Sequence, residues 1–402
     1  MSSLLTDKKI LLGVSGGIAA YKAAEWTRLL RREGAEVNVV MTEAATRFVT
    51  PLTFAALSGN RVHLDLFASE GAENIPHIGL GREHELIVLA PATANTIARL
   101  AHGLADDLLS ATVLAAKTKV IVCPAMNTAM FNHPATRANL ARLEDYGYAV
   151  VAPECGEMAC GERGPGRLAD WETVRQEIIT ALTPQDLRGR RVLITAGPTW
   201  EALDPVRLLT NRSSGKMGYA LAQAARHRGA EVVLVSGPGS IPPPTGVEVV
   251  PVVSAIEMHQ AVKERAREMD AIIMAAAVSD YRPTKQAGSK IKKGEVNATL
   301  TLSANPDILR EMGDEKRKSS CFPLLVGFAA ESDNHLAEGE RKLAEKNLDL
   351  IAINDISSED AGFAVDNNRV TMVDRNGAVE ELPLLSKEEV AHRILNAVIR
   401  LI

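Results

Sequence analysis

Four cysteines in 402 residues (Cys123, Cys155, Cys160 and Cys321) are too few for a disulfide framework, and no C-x-x-C pair offers a structural zinc clip. The chain also lacks an excess of positive charge. Its formal net charge of -5 argues against a nucleic-acid partner, whose footprint would be basic. No apolar run is long enough to span a bilayer, and no signal-like apolar stretch precedes Asp7. A reducing, cytoplasmic setting with no membrane or nucleic-acid partner is the expectation. The G-x-G-x-x-G dinucleotide fingerprint is missing as well.

What is present is an ordinary enzyme composition, 46% hydrophobic and 24% charged, in a chain whose length favours two domains. One structural phrase occurs twice. Lys8-Lys9-Ile10-Leu11-Leu12-Gly13-Val14-Ser15-Gly16-Gly17 runs from basic residues through an apolar strand into a glycine turn, and Arg190-Arg191-Val192-Leu193-Ile194-Thr195-Ala196-Gly197-Pro198 does so again. Each is followed by a helical stretch that ends alike, in Glu33-Gly34-Ala35-Glu36-Val37 and Arg228-Gly229-Ala230-Glu231-Val232. Strand-length apolar runs at 9–14, 36–41, 86–90, 119–123 and 148–152 alternate with helical patterns at 18–33, 94–102, 107–116, 134–145 and 170–182. The second half repeats the style, with strands near 191–195, 231–235, 270–275, 323–327 and 348–353. That alternation predicts an α/β chain of two Rossmann-like domains with mainly parallel sheets. The expected boundaries are a domain over 1–182, a polar linker over 183–189 and a domain over 190–402. Residues 153–167 and 281–295 are glycine-rich or charged without periodicity and are expected to be lids over strand ends.

In the first half, Ser15-Gly16-Gly17 turns a strand into a helix, where backbone N–H groups can face an anion or simply make a tight turn. Ala90-Pro91-Ala92-Thr93-Ala94-Asn95 ends a buried strand with small polar residues that can cap the next helix or hold a phosphate or a planar ring. His77 follows a proline at the start of a short helix. Asn127, in Pro124-Ala125-Met126-Asn127, stands at the carboxyl end of a strand, where it either donates to a carboxylate or caps a helix. Cys155 through Arg167 carries four glycines and two cysteines, and a thiol on such a segment can deliver a proton to a closed site.

Together Ser15-Gly16-Gly17, Pro76-His77, Pro124-Ala125-Met126-Asn127 and Ala159-Cys160-Gly161 resemble the flavoprotein cysteine decarboxylases, with phosphopantothenoylcysteine decarboxylase nearest. The resemblance implies a flavodoxin-like flavoprotein domain. It implies FMN held near Ser15, Gly16, Gly17, Thr42, Thr93 and Ala94, and catalytic roles for His77, Asn127 and Cys160. Losing carbon dioxide from an unactivated cysteine carboxylate needs an electron sink, which a flavin provides by transient oxidation of the thiol to a thioaldehyde. His77 suits base or electrostatic work, Asn127 suits holding the departing carboxylate, and Cys160 suits protonating the resulting enethiolate.

The second half contains Asn211-Arg212-Ser213-Ser214-Gly215-Lys216-Met217-Gly218. It is no Walker loop, because Thr210 stands at the first glycine position and Met217 at the Ser/Thr position. It reads as an anion-binding turn at a helix N-terminus. Downstream, Ala275-Ala276-Ala277-Val278-Ser279-Asp280 ends a strand in small residues and an acid, suited to close approach of a base or ribose. Lys290-Ile291-Lys292-Lys293, Asn305-Pro306-Asp307-Ile308, Phe328 and the pair Lys342/Lys346, four apart on one helix face, are further candidates.

This second set, in this order, resembles phosphopantothenate–cysteine ligase of the CTP-using bacterial type, a nucleotide-binding ligase domain fused behind the decarboxylase. The resemblance implies CTP contacts at Met274, Ala275, Ala276, Asp280, Lys290, Asn305, Pro306, Asp307, Ile308, Phe328, Lys342 and Lys346. It places Lys290 over the acyl-cytidylate-forming step and Asn211 in its turnover by cysteine. Mg²⁺ is expected with the triphosphate, with no ligands legible for it.

The implied function is two successive steps of coenzyme A biosynthesis. Cysteine is ligated to 4'-phosphopantothenate at the cost of CTP, and the product is then decarboxylated to 4'-phosphopantetheine. The implied assembly is a homo-oligomer, trimeric through the flavin domains and dimeric through the ligase domains, giving a dodecamer. The alternative is a two-domain nicotinamide-dependent oxidoreductase, suggested by the paired openings and weakened by the missing fingerprint in both.

Overall fold

The computed structural model describes residues 3–67, 75–158, 161–291, 299–319, 321–331, 335–355 and 367–402. The chain divides into two compact units, Ser2–Pro184 and Gln185–Ile402. The first unit is built on β1 (Lys9–Val14), β2 (Glu36–Met41), β3 (Val62–His63), β4 (Leu86–Ala92), β5 (Lys119–Pro124) and β6 (Ala149–Val150). These pair in the order β3-β2-β1-β4-β5-β6, all parallel. Period-2 alternation sends neighbouring side chains of one strand into different layers. Ile10, Leu12 and Val14 pack with Trp26 and Leu30 of the Ala20–Arg32 helix, while Leu11 packs on the other face with Ile97 and Leu109. Every residue of β4 is buried, which explains why its sequence reads as one apolar run.

Residues 153–167, expected as an irregular lid, instead contain the antiparallel hairpin β7 (Glu154–Glu157) and β8 (Arg163–Arg167). Its glycines serve contact as well as turning. A Cβ on Gly166 would collide with the carbonyl of Met126, whose amide donates to Gly166 O at 2.9 Å. A hairpin held on a loop in this way needs no apolar alternation, so the sequence carried no strand signal.

The second unit has β9 (Arg191–Ala196), the short antiparallel pair β10 (Trp200–Ala202) and β11 (Leu208–Thr210), then β12 (Glu231–Ser236), β13 (Glu248–Pro251) and β14 (Ala271–Met274). A second short antiparallel pair, β15 (Tyr281–Pro283) and β16 (Leu302–Ala304), precedes β17 (Leu324–Glu331) and β18 (Leu350–Asp355). The chain closes with β19 (Asn367–Asn368), β20 (Val370–Asp374), β21 (Val379–Glu381) and β22 (Leu385–Ser386). The main sheet runs β13-β12-β9-β14-β17-β18-β20-β21, parallel through β18 and antiparallel at its last two strands. That antiparallel edge was not anticipated. Its turn is nonetheless marked by Asn376-Gly377, with Gly377 at φ 81° and Asp374 Oδ1 accepting from the amides of Asn376 and Ala378.

In both sheets the strand order reverses beside the first strand of the unit, between β1 and β4 and between β9 and β14. Crossovers leave to opposite sides there, so the carboxyl ends part into a crevice.

Residues 185–188 pack firmly. Gln185 Nε2 donates to His227 O, Leu187 is buried, and Arg228 grips Asp186 with two bonds of 2.8 and 2.6 Å while reaching Asn396 Oδ1. His392 stacks on His227 at 5.8 Å between ring centroids beside this pair. At the amino ends of the strands, buried Asp349 joins Lys316 Nζ and Arg375 Nη1, each at 2.6 Å, and accepts from Leu325 N.

Two predictions follow from these buried groups. Asp349→Ala strands Lys316 beside the sheet and removes the tie from β18 to β17; a loss of about 3 kcal/mol is expected in urea unfolding of the second unit. Burial, with Arg228 adding to it, pushes the His392 imidazole down to about 4 from an ordinary 6.5. The unfolded chain therefore takes up the proton first, and stability is full above pH 6.5 and declines as pH falls toward 4. Thermal unfolding of His392→Phe should show a shallower decline over that window than wild type.

Candidate active sites

The first crevice is built by three short elements around one hydroxyl. Ser15, at the end of β1, is buried; its Oγ donates to Pro91 O at 2.6 Å and accepts from Thr93 N at 2.9 Å. The Ser15 side chain thus adds to a single backbone bond, Ser15 N to Pro91 O at 3.2 Å, in holding two strand ends that are leaving the ladder. Gly16 has room for nothing else, because a Cβ there would collide with Ala44 in the turn that Thr42 caps through Ala45 N. Thr93 caps the Ala94–Ala101 helix through Thr96 N. A cleft of about 600 Å³ opens at this point, lined by Gly16, Gly17, Ile18, Thr93 and Ala94 with Met126, Asn127, Met130, Met158 and Leu168. Two helix N-termini face a predominantly apolar slot, the shape and chemistry that a phosphate-bearing planar ring requires.

Asn127 combines the two roles left open by sequence. Its Oδ1 caps the following helix through Ala129 N at 2.8 Å, and its Nδ2 donates to a carboxylate, that of Glu162, at 2.6 Å. His77 occupies the second position of the Pro76–Glu83 helix, half-buried, with Nδ1 buried and without a partner among the described residues. It is not among the residues lining the cleft. Cys160 lies outside the described residues. Of the other thiols, Cys155 is exposed on the hairpin, and burial pushes Cys123 far above its ordinary range.

In the second unit, threonine does the work of Ser15. Buried Thr195 accepts from Ala276 N at 3.1 Å, and buried Thr199 accepts from Ser279 N at 3.0 Å, both across the reversal beside β14. The cleft there measures about 630 Å³ and gathers residues far apart in sequence: Asn211, Met274, Ala275, Ala276, Asp280, Asn305, Pro306, Asp307, Ile308, Phe328 and Lys346. Asn211 Nδ2 donates to the carbonyls of Ala277 and Val278 at 3.2 and 3.1 Å. Asn305 bridges to Ser279 O and Asp280 O, and Lys346 pairs with Asp307 at 2.9 Å. Gly215, in the left-handed region at φ 77°, starts the Lys216–His227 helix with no side-chain cap, so its first amides face the cleft lined by Ser213 and Ser214.

Lys290 and Lys342 are placed differently. Lys342 lies 3.9 Å from Glu338 on its own helix, and neither lysine is among the cleft's lining residues. Lys290 is exposed on a segment stapled at its end. Ile291 N donates to Asp204, Arg207 Nη2 donates to Ile291 O, and Arg207 in turn grips Asp204 and holds its carboxyl well below the usual carboxylate range. Lys292 and Lys293 lie outside the described residues. No group of three or more His, Cys, Asp or Glu suited to a metal occurs among the described residues.

Sequence reasoning assigned nothing to Asn354, Asn368 and Lys387, which also line this cleft. Asn354 ends a buried strand, the same signal that drew attention to Asn127. Asn368 and Lys387 reach the site by way of the antiparallel edge, whose pairing was not read.

Consecutive family models match the two halves: "Flavoprotein" over residues 1–183 and "DNA/pantothenate metabolism flavoprotein C-terminal domain" over residues 187–401. The coenzyme A biosynthesis bifunctional protein CoaBC of Bacillus subtilis (strain 168) is 45% identical over 399 residues, 98% of this chain and 97% of its own. The protein of that name from Vibrio cholerae serotype O1 is 46% identical over 398 residues, 98% of each chain. A crystal structure of the C-terminal domain of coenzyme A biosynthesis bifunctional protein CoaBC matches at 44% identity and a TM-score of 0.46, covering 54% of this chain and 97% of that one. Over both halves and nearly its whole length, the chain belongs to the family of coenzyme A biosynthesis bifunctional proteins, with a Flavoprotein first half and a DNA/pantothenate metabolism flavoprotein second half.

Proposed function

We infer that this chain is a bifunctional enzyme of coenzyme A biosynthesis that ligates cysteine to 4'-phosphopantothenate with CTP and then decarboxylates the product to 4'-phosphopantetheine. The observation that carries the reading is the full-length match to a bifunctional relative by a chain with two units, each holding its own cleft at a strand-order reversal. A two-domain nicotinamide oxidoreductase is unsupported, since neither half matches such an enzyme.

Residues 190–402 carry ligation. The carboxylate of phosphopantothenate attacks the α-phosphorus of CTP and pyrophosphate leaves, giving an acyl-cytidylate; the cysteine amine then displaces CMP and forms the amide. The small residues Ala275 and Ala276 and the Asp280 carboxylate suit the base and ribose, and Met274, Lys346 and Phe328 add to that wall. Negative charge accumulates on the α-phosphate and on the leaving pyrophosphate. Lys290, with Lys342 from its own helix, meets that charge as the stapled segment closes. Asn211, already an amide donor at the end of β14, orients the acyl-cytidylate for attack. Mg²⁺ enters with the triphosphate and takes its ligands largely from phosphate and water.

Residues 1–182 carry decarboxylation. Ser15, Gly16, Gly17, Thr42, Thr93 and Ala94 would hold FMN, which when bound supplies the two-electron sink the carboxylate needs in order to leave. Asn127 holds that carboxylate through the Nδ2 that faces the Glu162 carboxylate in its absence. His77, with an unsatisfied buried nitrogen, provides base or electrostatic help, and Cys160 donates the proton that quenches the enethiolate.

The enzyme works in the cytoplasm as a dodecamer. Ile18, Tyr21 and Met130 at the flavin cleft are 63%, 59% and 49% exposed, a surface that suits a second copy in a trimer. Exposed Trp200, Val206, Leu208 and Tyr281 offer a like face for a dimer of ligase domains.

Three variants test the assignments within one polypeptide. Ser15→Ala removes both side-chain bonds across the reversal, and the flavin-to-protein absorbance ratio of the purified protein should fall well below wild type; an unchanged ratio contradicts the site. Cys160→Ala should retain CTP-dependent ligation and stall after loss of carbon dioxide, with no 4'-phosphopantetheine released. Lys290→Gln should show the reverse, with pyrophosphate release reduced by about a hundredfold and decarboxylation of supplied phosphopantothenoylcysteine untouched.

A further inference from the structure

The amide that suits a substrate carboxylate in the flavin cleft already holds a carboxylate of the chain itself. Asn127 lines that cleft and is half-buried. Its Oδ1 is taken by Ala129 N at 2.8 Å, so the amide cannot turn over without uncapping the following helix, and the NH₂ edge is left to donate. That edge meets Glu162 Oε2 at 2.6 Å, a length typical of a charge-assisted bond. Glu162 stands where β7 turns into β8: Gly161 N donates to Met158 O and Met158 N to Glu162 O, each at 2.9 Å. Met158 in turn lines the cleft. Further along β8 the hairpin is anchored independently, by Met126 N to Gly166 O at 2.9 Å and by Thr128 Oγ1 to Pro165 O at 3.0 Å. The hairpin therefore keeps its seat on residues 126–128 when Glu162 lets go. The Glu162 side chain is exposed, so its carboxylate returns to water at little cost.

We propose that Glu162 is a positioning residue of the decarboxylase site: its carboxylate occupies the substrate carboxylate's place on Asn127, yields it when substrate binds, and takes it back once carbon dioxide has left. The inference rests on the decarboxylase reading, in which Asn127 holds the departing carboxylate. Substrate and Glu162 exclude one another there, because two carboxylates on one NH₂ group stand close enough to repel. Carbon dioxide is neutral and leaves the amide without an anion, so the return of Glu162 marks the end of that step. A ligand without a carboxylate leaves Asn127 to Glu162 and binds beside it.

The test is calorimetry on the full-length, flavin-loaded protein with two ligands that have no free thiol to oxidise. One is the S-methyl thioether of phosphopantothenoylcysteine, which keeps the carboxylate; the other is the S-methyl thioether of 4'-phosphopantetheine, which lacks it. Glu162→Ala should bind the carboxylate ligand about fivefold more tightly than wild type, the gain from removing one competing charge-assisted contact, and the second ligand within about twofold. Glu162→Gln keeps an acceptor without the charge and should fall between. In an Asn127→Ala background, Glu162→Ala should add nothing for either ligand. An unchanged affinity for the carboxylate ligand overturns the proposal. So does equal tightening of both ligands, which is a general charge effect on two phosphate-bearing molecules, or a gain that survives in full without Asn127. If Glu162→Ala does not fold, Glu162→Gln is read for the same selective gain. If wild type releases no carbon dioxide from phosphopantothenoylcysteine, the decarboxylase reading fails. The selective gain in calorimetry then still upholds the exchange on Asn127, and its absence, including binding to neither protein, overturns it.

Discussion

A side-chain hydroxyl spanning the point where strand order reverses is the interaction on which both sites depend. Beyond that point the strands diverge and few backbone bonds join them, Ser15 N to Pro91 O in the first unit and Ala277 N to Gly197 O in the second, yet their ends must stay close enough to frame a ligand. Ser15 Oγ solves this in the first unit by donating to Pro91 O and accepting from Thr93 N. Thr195 and Thr199 solve it in the second by accepting from Ala276 N and Ser279 N. Each hydroxyl is buried, so the bonds are not shared with water and their geometry is held. Helix N-termini then face the crevice from either side, and their free amides become available to phosphate.

The two units use this frame for unlike chemistry because their cleft walls differ. Around the first, Ile18, Met126, Met130, Met158 and Leu168 make a slot for a planar ring, with Asn127 as a carboxylate donor at its edge. Around the second, Asn211, Asp280, Asn305, Asp307, Lys346, Asn354, Asn368 and Lys387 make a polar cleft matched to a nucleotide and charged co-substrates. One suits electron withdrawal from a bound thiol compound, the other stabilisation of charge during phosphoryl chemistry.

Much of this was legible in the sequence, for physical reasons that vary from residue to residue. Parallel strands buried on both faces read as apolar runs, so β1, β4, β5, β9 and β14 were found nearly to the residue. Small residues followed by a polar one at a strand end marked Thr93, Asn127 and Asp280. The hairpin β7–β8 escaped because its pairing rests on glycines and backbone bonds to Met126, which leave no apolar period. The antiparallel edge β20–β21 escaped because β21 is three residues long and largely exposed, which leaves no apolar run, although Asn376-Gly377 marks its turn. Asn368 and Lys387 escaped with it, since their place in the cleft exists only after that edge has folded back.

The central claim is that one chain performs both reactions in sequence. Its most direct measurement is a single incubation of the purified protein with 4'-phosphopantothenate, CTP, Mg²⁺ and cysteine labelled at its carboxyl carbon, followed by mass analysis of the products and of the released gas. The account predicts 4'-phosphopantetheine without the label, labelled carbon dioxide, and CMP with pyrophosphate in equal amounts. Accumulation of no amide, or consumption of CTP to CDP and phosphate, would contradict it.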